Sequence, residues 1–136
     1  MTKVIALSVR CPYCDESMMD THHLINNRPT IRVRIETPDK HKGTIWLSSI
    51  YGDYNYSTEF HLVDRELITF TCPNCGENLK RKNITCDLCE APMISFNADI
   101  GGRVSICSRS GCKNHYVVFD DLEAVIRKFY DEYGYH

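Results

Sequence analysis

Cys72-Pro73-Asn74-Cys75-Gly76 is the stretch that decides the fold. Two residues between cysteines let both sulfurs of one tight turn reach a single ion. The proline presets the turn, and the glycine supplies the positive φ at which backbone amides fold toward sulfur. The same pattern, with Asp15 in place of the glycine, occurs in Cys11-Pro12-Tyr13-Cys14. A third pair, Cys86-Asp87-Leu88-Cys89, follows Cys75 after ten residues. The fourth, Cys107-Ser108-Arg109-Ser110-Gly111-Cys112, comes seventeen residues later.

Composition bears on how these thiols are read. The 136-residue chain is 43% hydrophobic and 25% charged, ordinary values for one modest domain or two very small ones. Its net charge of −2 gives no global pull toward nucleic acid or an anionic membrane. The apolar run from Val4 to Leu7 is too short for the core of a signal peptide. No later stretch approaches the roughly 20 apolar residues of a spanning helix. The expected location is therefore the cytoplasm, with no membrane partner. Thiols there stay reduced, so dense near-neighbour pairs point to metal and not to disulfides.

Eight thiolates suffice for two closed four-ligand sites with no position left for water, which is the pattern of structural metal. Two Zn2+ are the expected cofactors, with iron a rival at the first site because spacing does not separate the two metals. In a sequential pairing Cys11, Cys14, Cys72 and Cys75 share one ion, and Cys86, Cys89, Cys107 and Cys112 the other. In an interleaved pairing the first and third pairs share one ion and the second and fourth the other. The spacing favours the sequential arrangement. Residues 86–119 number only 34, below the roughly 40 at which chains seldom fold without a staple. A structural zinc contributes on the order of 10–16 kcal/mol to such a unit.

The 57 residues between the first two pairs read as β. Ile31, Val33 and Ile35 alternate with Arg32, Arg34 and Glu36, the period of a half-buried strand. After a turn through Pro38 to Gly43, residues 44–49 form a second strand, with Trp46 opposite in face to Ile45 and Leu47. Tyr54, Tyr56, Thr58, Phe60 and Leu62 alternate again, and residues 67–71 run as a strand into Cys72. Short connections make this an antiparallel meander of about four strands. Residues 20–28 read as loop or a short helical turn. From Asp120, the residues Leu122, Val125, Ile126, Phe129, Tyr130 and Tyr133 follow helical spacing, with Asp120 or Asp121 as cap and Gly134 as stop.

Both halves resemble zinc ribbons, in which two cysteine knuckles at hairpin turns clamp one ion. The second half carries Cys86-Asp-Leu-Cys89, then Pro92-Met93 opening a strand, then Gly101-Gly-Arg-Val-Ser-Ile-Cys107-Ser-Arg-Ser-Gly-Cys112-Lys113-Asn114. In these residues it is similar to the small ribbons repeated at the C-terminal end of bacterial type I DNA topoisomerases. Its closing cysteine pair is one residue shorter than is usual there and lacks the aromatic and proline between the cysteines.

The expected fold is thus mainly β, with two zinc ribbons and a C-terminal α-helix. Residues 1–79 form a ribbon with the meander inserted between its knuckles, residues 80–119 a second ribbon, and residues 120–136 the helix. The paired Cys-Pro-x-Cys turns also resemble rubredoxin, which implies an iron-based electron carrier. A thioredoxin-type role for Cys11 and Cys14 would need a helix N-terminus, and their surroundings read as β. His22, His23, His41, His61, His115 and His136 lie in no constellation of nucleophile and base, so no enzyme and no small-molecule substrate are expected. Lys80, Arg81, Lys82, Arg103, Arg109 and Lys113 offer a basic groove for single-stranded nucleic acid, although Asp87, Glu90 and Asp99 lie among them. Phe129, Tyr130 and Tyr133 offer a surface for a protein partner, since aromatics are enriched at interfaces. The reading adopted is a non-enzymatic, zinc-stabilised adaptor or accessory subunit of a larger complex, with nucleic-acid binding as the alternative.

Overall fold

The structure, a computed structural model, describes residues 6–112 and 115–118, without the side chains of residues 82, 83 and 115–118. The helix expected over residues 120–136 lies outside the described residues. Among the described residues ten strands form two five-stranded antiparallel sheets. The first sheet orders β2 (Met19–Ile25), β3 (Arg28–Glu36), β4 (Lys42–Ser48) and β5 (Tyr56–Thr58), with β6 (Thr69–Thr71) also on β3. The second orders β1 (Val9–Arg10), β8 (Pro92–Ala98), β9 (Arg103–Cys107) and β10 (His115–Val118), with β7 (Lys80–Thr85) also on β8.

Each sheet is built around one long strand whose two edges are used differently. One edge of β3 is covered along its length by β4, while the other is shared end to end by β2 and β6. Likewise β9 covers one edge of β8, and β1 and β7 share the other. The chain therefore crosses between sheets twice, from β1 into β2 and from β6 into β7. Each crossing passes through a Cys-Pro-x-Cys turn. The boundary at residue 79 does not separate the sheets, because β1 lies in the second sheet and β6 in the first.

The halves repeat each other with the spacing of about 61 residues that separates Cys11 from Cys72, and the repeat extends to individual hydrogen bonds. Leu7 N–H donates to Ser49 O at 2.8 Å, and Ile68 N–H to Ser108 O at 2.9 Å. Met18 N–H donates to Val9 O at 3.0 Å, and Leu79 N–H to Phe70 O at 2.9 Å. Isolated bridges repeat too: Ala6 with Ile50 and Leu67 with Arg109, Arg10 with Ser17 and Thr71 with Asn78. The molecule has an internal pseudo-two-fold arrangement in which the halves exchange their first strands.

One continuous core lies between the sheets. Ile31, Val33 and Ile35 are buried and Arg32 and Arg34 exposed, as the alternation requires. They meet Phe96, Ile94 and Val104 of the second sheet, with Val9 and Phe70 from the crossing strands.

Three sequence expectations change. Residues 20–28, expected to be loop or helical turn, mostly belong to β2 and the start of β3. Asn26 and Asn27, at φ 53° and 64°, make the tight turn between them, the left-handed pair that suits a two-residue hairpin. A register shift between Asp20 and Leu24 breaks the alternation that would have marked the strand. Residues 67–71 do strand-pair, but β6 returns to β3 beside β2 and does not continue past β5. Finally, the long strand expected over residues 54–62 shrinks to Tyr56–Thr58. The Thr58 hydroxyl donates to Phe60 O and bends the chain, placing the Phe60 ring against Gly43, where an added Cβ would stand 2.6 Å from it. Leu62 then turns into the core.

Phe96 is fully enclosed, so Phe96→Ala is expected to lower stability by about 3–5 kcal/mol. Arg32→Ala, on the exposed face, is expected to stay within about 0.5 kcal/mol. Urea unfolding of the metal-loaded variants measures both.

Candidate metal centres

The two crossings bring their turns together. The sulfurs of Cys11, Cys14, Cys72 and Cys75 lie within 4.8 Å of one another, as do those of Cys86, Cys89, Cys107 and Cys112. The cysteines are thus gathered in chain order, two pairs to each group, and not interleaved.

The first three turns share a local design, and the fourth departs from it. In the first, Asp15 N–H donates to Cys11 O at 3.0 Å and Cys11 N–H to Glu16 O at 3.0 Å. The second repeats this with Gly76 to Cys72 at 2.9 Å and Cys72 to Glu77 at 3.0 Å, and the third with Glu90 to Cys86 at 2.8 Å and Cys86 to Ala91 at 2.7 Å. The residue after the second cysteine takes left-handed φ in each: Asp15 at 62°, Gly76 at 77° and Glu90 at 65°. The turn imposes the conformation, and glycine only makes it easy. In the fourth, Gly111 at φ 83° precedes Cys112, whose N–H donates to Arg109 O at 3.1 Å.

Backbone donors converge on the first sulfur of every pair. Tyr13 N–H reaches Cys11 Sγ at 3.4 Å, Asn74 reaches Cys72 at 3.3 Å, Leu88 reaches Cys86 at 3.3 Å and Arg109 reaches Cys107 at 3.4 Å. Such donors favour thiolate, the form that binds metal. Asn74 Nδ2 adds a side-chain donor 3.5 Å from Cys14 Sγ. That bond chiefly lowers the Cys14 thiol to about 7, whereas burial pushes Cys11 up to about 12. In the second group burial raises Cys107; Cys89, where burial is outweighed by the Ala91 amide and by sulfur and Arg109 contacts, falls to about 6.

The donor set fits a tetrahedral ion. A tetrahedron with metal–sulfur bonds of ~2.3 Å has edges of about 3.8 Å. The sulfur pairs Cys11–Cys75, Cys14–Cys72 and Cys86–Cys112 stand at 3.7, 3.8 and 3.8 Å, and Cys89–Cys107 at 3.4 Å. Four soft thiolates in this shape suit zinc or iron, and a fully thiolate-ligated ion has no open position for a substrate. Binding requires deprotonated sulfur, so affinity falls with acid.

Among the described residues no histidine joins either group. His23 stacks on Trp46 with ring centroids 4.1 Å apart, and His41 Nδ1 stands 3.2 Å from Asp39. The basic residues are dispersed. Lys80 is exposed opposite Ile94 on β8, Arg103 is exposed opposite Asn97, and Arg81 is half-buried. Arg109 Nη1 donates to Arg65 O at 3.0 Å, tying the fourth turn to the segment before β6. Lys113, Phe129, Tyr130 and Tyr133 lie outside the described residues, as does the Lys82 side chain. Asn74 and the structural part of Arg109 were not singled out as such from sequence, because both contacts join residues distant along the chain.

Comparison with protein families, curated proteins and solved structures returns no match to this chain. Fold and sites define a mainly β protein with two sheets and two four-cysteine groups able to bind metal ions.

Two metal equivalents per chain are expected on elemental analysis. Cys72→Ser should lose one and abolish cooperative unfolding, because that centre joins both crossings. Cys89→Ser should also lose one yet keep amide protection in β3 and β4, which hydrogen exchange reads directly.

Proposed function

We propose that this protein is a non-enzymatic adaptor, stabilised by two zinc ions, that docks onto a protein partner within a larger complex. In this reading both centres are zinc ribbons, the second of the kind that resembles the topoisomerase C-terminal ribbons, and the metal chemistry serves folding.

The observation that carries the reading is the loop between β4 and β5. Tyr51, Tyr54 and Tyr56 are 47%, 46% and 50% exposed on this one short stretch. The loop edges a mainly apolar cavity of about 180 Å³ between the sheets, lined by Leu47, Ile50, Tyr54, Tyr56, Val104 and Ile106 among others. Tyrosine offers large rigid contact area with a polar tip, and clusters of it mark protein interfaces. The aromatic residues Phe129, Tyr130 and Tyr133 are proposed as a second contact on the strength of their sequence spacing.

A photo-crosslinking side chain at residue 54 in the native host is expected to give one discrete partner adduct. The adduct should disappear when Tyr51 and Tyr56 are changed to Ser, with both metals retained. No discrete adduct, or one indifferent to those changes, removes this loop as the docking surface.

Single-stranded nucleic acid is the second reading, favoured by the outer face of the first sheet. There Trp46 donates from Nε1 to Asp20 at 3.0 Å and carries the stacked His23, with Arg32 directly opposite on β3. A stacking platform beside a cation suits an unpaired base. Salt-sensitive retention on single strands, weakened by Trp46→Ala, is its expected signature. For a third reading, iron electron transfer at the first centre, a visible thiolate-to-iron band after anaerobic expression is the requirement.

A further inference from the structure

The pseudo-two-fold arrangement puts each residue of the second metal centre opposite a definite position in the first half. Ile31 pairs with Leu47 and Ile94 with Ile106; Thr30 pairs with Ser48 and Met93 with Cys107. The bridges of Ile50 and Arg109 lie two residues further on in each half. In this register Ser48 corresponds to Cys107, and Asp53, five residues after Ser48 as Cys112 is after Cys107, corresponds to Cys112. On the facing side, Leu24 pairs with Pro29 and Thr85 with Pro92. The six residues 86–91, which carry Cys86 and Cys89, are therefore replaced by the four residues 25–28 of the Asn26-Asn27 turn.

No cysteine occupies the corresponding tip of the first half, yet its two loops are joined at the same place. The Asp53 carboxylate accepts from Asn26 Nδ2 at 2.6 Å, from Ser48 Oγ at 2.8 Å and from Asn55 Nδ2 at 2.7 Å. The Asn55 backbone N–H donates to it at 3.0 Å. Asn26 comes from the hairpin turn, Ser48 from the end of β4, and Asn55 from the entry to β5. The turn that bears Asn26 and the segment from Ser48 to Asp53 correspond to those that carry Cys86, Cys89, Cys107 and Cys112 in the other half.

We infer that Asp53 is the metal-free counterpart of the second four-cysteine centre: one carboxylate clasps the hairpin and loop that four thiolates and an ion clasp in the other half. Ionised carboxylate suits the position, since it offers about four acceptor sites and no donor, and every group facing it here donates. Partial burial raises its pKa, but the bonds from Asn55, Ser48 and Asn26 outweigh that and hold the carboxyl below the usual range. A depressed value means the clasp is complete above the unfolded-state value and is lost as pH falls through the folded one. The tip bearing Tyr51, Tyr54 and Tyr56 is thus ordered without a metal of its own, and the two ends of a near-symmetric molecule differ in chemistry.

Two experiments decide this. In the first, residues 25–28 are exchanged for the sequence of residues 86–91, together with Ser48→Cys and Asp53→Cys. Zinc content and the Co2+–thiolate absorption are then measured. The expected result is a third metal site, a 1.5-fold rise over the two groups of the parent chain. A folded variant that still binds two ions overturns the correspondence. In the second, Asp53→Ala is compared with the parent by hydrogen exchange. Amides of residues 26–28 and 48–56 are expected to exchange about tenfold faster or more, with metal content and protection in β8 and β9 unchanged. Unchanged exchange in those segments overturns the clasp, whether or not the grafted variant folds.

Discussion

Four sulfurs at the crossing of the two sheets are the constraint on which the rest depends. The strands entering the two crossing turns, β1 and β6, are only two and three residues long. A backbone hydrogen bond contributes about 0.5–1.5 kcal/mol net, so such strands hold their sheets weakly by pairing alone. A structural zinc contributes on the order of 10–16 kcal/mol in small domains, far more than either strand. Drawing Cys11, Cys14, Cys72 and Cys75 together fixes where the chain leaves one sheet for the other. Once both crossings are fixed, β1 must lie beside β8 and β6 beside β3. The apolar faces of β3 and β8 then confront each other across one core.

The two halves use one backbone plan and finish it with different side chains. At the crossing they are alike, down to matched hydrogen bonds within a few tenths of an ångström. At their far tips they diverge: one has a group of four cysteines, the other a carboxylate surrounded by amides and a hydroxyl. The divergence extends to the outer faces. Trp46, Arg32 and His23 give the first sheet a large, mixed aromatic and cationic exterior, whereas Ser95 and Ser105 at the matching places share a buried hydroxyl pair at 2.8 Å. A molecule with a symmetric frame and unlike ends can meet two different surroundings at once, as the proposed adaptor role would require.

Much of the candidate site was legible because metal ligation constrains local sequence. A two-residue spacer, a proline and a residue that tolerates positive φ are all properties of a single turn. The alternation of Ile31, Val33 and Ile35 was legible for a similar reason, since one buried face imposes a period of two. The strand at residues 19–25 was hidden by its bulge, which shifts the register and mixes half-buried with exposed positions. Tyr54 to Leu62 gave the opposite error. Its alternation continues past the bend at Thr58 because Phe60 and Leu62 are apolar for contacts with Gly43 and the core, and not for sheet pairing.

By itself, then, the amino-acid order determined which residues are able to bind metal and, through the spacing of the pairs, that they form two groups in a β setting. Those features are written within a few residues of each other, where bond geometry and turn preference act directly. Only the tertiary structure decided that the halves exchange their first strands, that Arg109 braces a turn, and that Asp53 stands at the place of Cys112 in the other half. Each of these joins segments that lie tens of residues apart or compares the two halves in space. A single aspartate among polar neighbours carries no local pattern, and its role exists only because the folded chain aims four donors at it.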